Sequence, residues 1–172
     1  MFHSEKNYLC FMTVNIRKGA QVDLPVILDL IKELAEYEKA INEVTITLKE
    51  LEEDGFGEHP CYWFIVAEVD GEIVGMSFYF IRYSTWKGRF LFLEDFIVKE
   101  SYRGKGVGSQ LFEETVRIAQ QMDVNGMIWQ VLDWNLPAIN FYKKYEAHLD
   151  DQWLNGKLVK KQITNFRFNE SL

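Results

Sequence analysis

Apolar and polar positions change period several times along this chain, and each change marks an element. Residues 13–17 (TVNIR) alternate with period two, the pattern of a half-buried strand. Ile27, Leu30, Ile31 and Leu34 then recur at helical spacing and define one apolar face. Asp23 just before them suits an N-cap, and Pro25 is tolerated in a first helical turn. The polar side of that helix holds Lys32, Glu33, Glu36 and Glu38. Thr47-Leu48-Lys49-Glu50 is a capping box for a second helix that should end near Asp54-Gly55. Residues 63–69 and 72–82 read as strands joined at Asp70-Gly71, a pair that suits a type I′ turn. Residues 89–98 follow as a third strand, which predicts a three-stranded antiparallel meander.

Beyond the meander the period returns to helical. Leu111, Thr115 or Val116, Ile118 and Ala119 mark the buried side of a helix ending near Met122. Residues 127–132 read as a strand and Asp133-Trp134-Asn135 as a turn. Pro137 fits the first turn of a short helix running through Lys144. Residues 157–168 alternate weakly and are expected to form a last hairpin strand. The expected order is β-α-α-β-β-β-α-β-α-β, an α/β chain of the α+β kind: a mixed, mostly antiparallel sheet flanked by helices. Residues 12–172 carry no repeat, low-complexity tract or linker and read as one domain. Residues 1–11 have no clear period and read as an N-terminal extension, with Met12 the more natural beginning.

The stretch around which the chain is organised is LEDFIVKESYRGKGVGSQLFEET. A strand bearing Glu94 and Asp95 leads through a polar turn to Arg103-Gly104-Lys105-Gly106-Val107-Gly108, and an amphipathic helix follows. Backbone amides at such a helix start lack intrahelical partners and suit a phosphate or pyrophosphate. Arg103 and Lys105 add positive charge at the same place. Ser109 after Gly108 excludes a P-loop, and glycines at 104, 106 and 108 do not space as a dinucleotide fingerprint.

Composition narrows the remaining choices. With 172 residues, 48% hydrophobic and 15% aromatic, the chain can build a core and is not a disordered class. No apolar run approaches the roughly 20 residues of a membrane-spanning helix. The start lacks the charged and cleavable pattern of a signal peptide, so the expected location is cytoplasmic, with no membrane partner. Cys10 and Cys61 form no metal-ligand spacing, no metal is expected, and both are expected as free thiols. A net charge of −7 with no basic stripe outside the glycine loop argues against nucleic acid and mildly favours a small cation.

Arg103 to Gly108 matches R-x-x-G-x-G, and with the strand before it, the helix after it and the Asn135…Asn140-Phe141-Tyr142 segment the chain resembles the GNAT-type N-acetyltransferases from Met12 onward. Within them it resembles the diamine acetyltransferase family. Glu53-Asp54-Gly55-Phe56-Gly57-Glu58-His59-Pro60, Tyr83-Ser84-Thr85-Trp86-Lys87-Gly88-Arg89, Leu93-Glu94-Asp95, Tyr102-Arg103-Gly104, Val131-Leu132-Asp133-Trp134-Asn135 and Asn140-Phe141-Tyr142-Lys143 carry the likeness in order. That family holds spermidine/spermine N1-acetyltransferases and thialysine N-epsilon-acetyltransferases. Ser84-Thr85 resembles the thialysine branch; the polyamine branch has an aspartate where this chain has Ser84. After Tyr145 the family has glycine where this chain has Glu146, at a helix exit that favours φ > 0.

The resemblance implies the fold of that superfamily, acetyl-CoA as donor, a homodimer, and a primary amine attacking within a ternary complex. It implies Glu94 as base through water, although alone Glu94 is compatible with an ion-paired carboxylate on a sheet face. It implies Tyr142 as acid, although alone Tyr142 reads as a core aromatic of a short helix. Strand alternation puts Asp95 on the face opposite Glu94, in a structural or rim role. CoA is expected along Phe96, Ile97 and Val98, over Arg103, Gly104, Lys105, Gly106, Val107, Gly108 and Ser109, and at Asn135 and Tyr142. Tyr37, Glu38, Glu94, Ser84 and Thr85 are the expected amine contacts. The alternatives are a polyamine acetyltransferase and a catalytically silent acyl-CoA-binding module; an acetyl-cysteine route through Cys61 is disfavoured, with only His59 near it in sequence.

Overall fold

The computed structural model of the protein describes residues 12–152 and 155–167. They fall into two compact units, which divide between Gln130 and Val131.

The first unit contains the whole sheet. Strand β1 (Val14–Lys18) leads through a 3-10 turn (Gln21–Asp23) into helix α1 (Leu24–Tyr37). Asp23 stands before α1, but its side chain makes no bond to that helix. It accepts instead from the Ala20 amide at 2.8 Å and from Arg17 at 2.7 and 2.9 Å. The N-cap expected of Asp23 therefore closes the turn before α1. Glu68 completes the network by accepting from Arg17 Nε at 2.9 Å and Nη2 at 2.7 Å. Helix α2 (Leu48–Phe56) opens on the expected capping box: Thr47 Oγ1 accepts from the Glu50 amide at 3.2 Å, and Glu50 accepts from the Thr47 amide at 2.9 Å.

Strands β2 (Trp63–Val69), β3 (Glu72–Ser84) and β4 (Gly88–Val98) form the antiparallel meander, with β1 added to β2. Asp70 and Gly71 both have positive φ, 50° and 81°, as a type I′ turn demands. Helix α3 (Val107–Gln121) leads to β5 (Met127–Trp129), which is shorter than the expected strand and pairs parallel to β4. The order is β1-β2-β3-β4-β5, three antiparallel pairs and one parallel. The mixed α/β architecture expected from the pattern is present.

Both faces of the sheet are covered, which explains the nearly unbroken apolar run of β2. Leu24, Ile27 and Leu30 of α1 and Leu51 of α2 pack with Phe64, Val66, Met76 and Ile97. Ser77, next to Met76, meets Thr115 of α3 in a fully buried hydroxyl pair at 2.7 Å. Successive strand residues face opposite ways, so α1 and α3 lie on opposite faces. Of the two candidates on α3, Thr115 is buried and Val116 is half-buried.

The second unit holds α4 (Leu136–Lys143) and α5 (Lys160–Thr164). The expected last strand over 157–168 is a correction: residues 160–164 are helical, and Phe168 lies outside the described residues. Val159, Ile163 and Phe166 share an i, i+4, i+7 stripe that competes with the weak alternation. The Val159 amide donates to Gln162 Oε1 at 2.9 Å and closes the first turn. Glu146 adopts φ of 58° after α4, the left-handed conformation expected at that helix exit, with a non-glycine residue in it.

Candidate active site

The β3–β4 ladder carries a bulge at the acidic pair. Phe78 pairs with Asp95 and Tyr79 with Leu93, which leaves Glu94 as the extra residue of β4. The regular pleat gives the α1 face to Asp95 and Ile97, opposite Phe78 and Met76. The bulge then lets Glu94 reach the same side. Both carboxylates line one cavity of about 400 Å³, together with Glu38 and Glu43, and with Ile31, Leu34 and Ala35 of α1. Val44, Thr45 and Ile46 close another wall. The expectation that Asp95 faces away from Glu94 is overturned, because alternation fails across a bulge. No sequence pattern near residue 94 announced it.

Four carboxylates line this cavity, and like charges close by raise the cost of ionising a carboxyl. Withdrawal from water, then Glu94, then Glu38 push the Asp95 carboxyl up to about 7. Partial withdrawal from water raises Glu94 and Glu38 as well. The cavity thus combines apolar walls with a proton-accepting, cation-attracting floor. Among the described residues, no three His, Cys, Asp or Glu side chains are grouped to hold a metal.

The glycine loop lies at the end of the same strand. The parallel ladder to β5 stops at Leu93–Trp129, while β4 continues to Val98. A 3-10 turn (Glu100–Tyr102) follows, then Gly104 at φ 73° and Gly106 at φ 84°. Gly106 is the N-cap of α3 and has no side chain to cap it, so the amides of the first turn, from Val107, Gly108 and Ser109, have no intrahelical acceptor. A Cβ at Gly104 or Gly106 would meet nothing within 4 Å, so there is open space beside both. Arg103 Nε donates to the Val98 carbonyl at 2.8 Å, and its guanidinium lies 5.3 Å from the Tyr37 ring centre. Lys105 Nζ lies 5.4 Å from the Tyr102 ring centre.

Not every expected site residue joins this cavity. Glu38 does, as the residue capping α1, whereas Tyr37 stands against Arg103. Ser84 and Thr85 are at the β3–β4 turn, away from the cavity's lining. The Ser84 hydroxyl accepts from the amides of Trp86 at 3.3 Å and Lys87 at 3.2 Å, a turn-closing use of the side chain. Cys61 is exposed, and its thiol contacts the His59 carbonyl rather than the imidazole. Cys10 is outside the described residues. In the second unit, Asn135 Oδ1 caps α4 by accepting from the Ala138 amide at 3.2 Å. Tyr142 is buried on α4, edge-on to Phe141 at 5.4 Å between ring centres.

A bulged acidic strand feeding an uncapped glycine-rich helix start joins a proton-accepting cavity to an anion-binding turn, and comparison with known proteins assigns the enzyme class. Residues 27–146 match the acetyltransferase (GNAT) family, and the chain belongs to it. The family uses acetyl-CoA, so the enzyme class and donor expected from the sequence stand. The chain is 44% identical over 142 residues to a thialysine N-epsilon-acetyltransferase of Bos taurus, covering 78% of this chain and 84% of that protein. It is 37% identical over 165 residues to the human spermidine/spermine N(1)-acetyltransferase-like protein 1, covering 90% of this chain and 24% of that one. An aminoglycoside N-acetyltransferase solved in complex with CoA shares the fold, with a TM-score of 0.68 at 19% identity over 86% of this chain and 95% of that one.

Proposed function

We propose that this chain acetylates a primary amine of a small cationic substrate of the thialysine type, in a ternary complex with acetyl-CoA. The observation that supports it most is the bulge that turns Glu94 and Asp95 into one cavity with Glu38. An ammonium has no lone pair to attack with, so the site must both attract a cation and accept its proton. Clustered carboxylates attract the cation, and a carboxylate raised by its surroundings is a better base than an ordinary one. The apolar wall of Ile31, Leu34, Val44 and Ile46 suits a short alkyl stem.

The open glycine loop fits the cofactor: first-turn amides of α3 suit a pyrophosphate, and Arg103 and Lys105 add charge. The strand Phe96-Ile97-Val98 offers backbone to pantetheine amides. When bound, acetyl-CoA supplies an activated acetyl thioester. Glu94 takes the ammonium proton, directly or through water. As the amine nitrogen bonds to the acetyl carbon and the carbon–sulfur bond breaks, Tyr142 would give its proton to the departing CoA thiolate, since a phenol is neutral at pH 7. Asn135 contacts the cofactor in this reading, and the protein acts as a homodimer.

A polyamine is the second reading. Glu38, Glu94 and Asp95 together offer more than one anion to a chain with several ammonium groups, even though Ser84 is not acidic. Acetyl-CoA consumption with thialysine, lysine, spermidine, spermine and putrescine separates the two. Preference for thialysine supports the first reading, and preference for spermidine replaces it with the second. CoA binding with no turnover of any amine would leave an acyl-CoA-binding module.

A further inference from the structure

The side chain of Arg103 is held at two points. Its Nε donates to the Val98 carbonyl at 2.8 Å, and its face lies over the Tyr37 ring at 5.3 Å. The backbone is held as well, by a bond from the Arg103 amide to the Glu100 carbonyl at 3.1 Å. These contacts use Nε and one face of the guanidinium. Its Nη1 and Nη2 edge, the part that pairs with two phosphate oxygens at once, is used by neither contact, and Arg103 is exposed. A flexible arginine loses side-chain freedom when it clamps an anion, and prior restraint reduces that loss. Tyr37 is well suited to provide it, because it ends α1 and its ring is carried on a packed helix.

We infer that Tyr37 is a positioning residue for the CoA side of the site, presenting Arg103 to the pyrophosphate, rather than an amine contact. The inference rests on the glycine loop being the CoA site. It divides two neighbouring residues between two ligands: Glu38 faces the amine cavity, and Tyr37 serves the cofactor through Arg103. The end of α1 is then shared by both ligands.

Calorimetric titration of the full chain with CoA tests it, alongside separate KM values for acetyl-CoA and thialysine. Tyr37→Leu should weaken CoA about two- to fivefold, the range of an exposed cation–π contact, and leave the amine KM unchanged. Tyr37→Phe keeps the ring and should stay within about twofold of wild type. In an Arg103→Gln background the Tyr37→Leu effect should vanish. A raised amine KM with unchanged CoA affinity in Tyr37→Leu, or equal damage from Phe and Leu, overturns the inference. Arg103→Gln separates the levels. If it weakens CoA while Tyr37→Leu does not, only the role of Tyr37 falls; if it leaves CoA unchanged, the loop reading falls with it.

Discussion

Asp95→Asn should make the protein more stable at pH 8 than at pH 4, relative to wild type. The Asp95 carboxyl is raised from 3.8 to about 7 by withdrawal from water and by Glu94 and Glu38. Between those two values the folded protein keeps a proton that the unfolded chain has lost. Wild-type stability therefore declines from this group as pH rises through that window, and the cost is complete above it. A shift of three units corresponds to about 4 kcal/mol at 1.36 kcal/mol per unit. Asp95 is only half-buried, and water and relaxation reduce such costs, so about 2 kcal/mol is the working figure. Asparagine fills the same space without the charge. The carboxylates Asp23 and Glu68, held low by Arg17, have the opposite pH dependence, but they are the same in both proteins and cancel in the difference. Urea titrations of wild type and variant at pH 4, 6 and 8 measure it, and thermal melts at pH 8 should differ by roughly 4–8 °C. A stability difference that stays flat with pH, or turns against asparagine as pH rises, would refute the shared-cavity electrostatics.

Other perturbations test the remaining parts. Glu94→Gln should depress turnover most at neutral pH and recover partly at high pH, where free amine no longer needs a base; uniform loss across pH would favour a binding role. The wild-type rate should fall on acidification at a pH above the ordinary carboxylate range, since Glu94 and Asp95 are both raised and titrate as a pair. Tyr142→Phe should lower the transfer rate by about 10²-fold or more while CoA affinity changes little, which single-turnover kinetics and calorimetry read separately; an unchanged rate removes Tyr142 from the acid role. Glu146→Gly should raise stability by about 1 kcal/mol in denaturant melts, because Glu146 sits at φ 58°; a destabilised variant would mean that its side chain has a role of its own.

Local pattern determined much of this protein. The capping box at Thr47, the type I′ turn at Asp70-Gly71, the helical face of α1 and the glycine run before α3 depend on neighbours a few residues apart. Interactions at that range are written directly in the sequence, and so was the family. Asp23 stands at the N-cap position expected of it, but its carboxylate turns to the Ala20 amide and to Arg17, a choice that depends on Arg17 from β1 and Glu68 from β2. The tail was misread because an exposed segment has no buried face to enforce one period.

The site is where sequence alone stopped short. Alternation assigns Glu94 and Asp95 to opposite faces, and only the pairing of β4 with β3 inserts the extra residue that unites them. The raised carboxyl at Asp95 follows from that register together with Glu38, some sixty positions earlier at the end of α1. The contact of Tyr37 with Arg103 is likewise invisible to any local rule. The sequence determined which chemical groups the protein carries; the tertiary structure decided which of them share one volume of poorly hydrated space, where charges act on each other strongly enough to change their protonation.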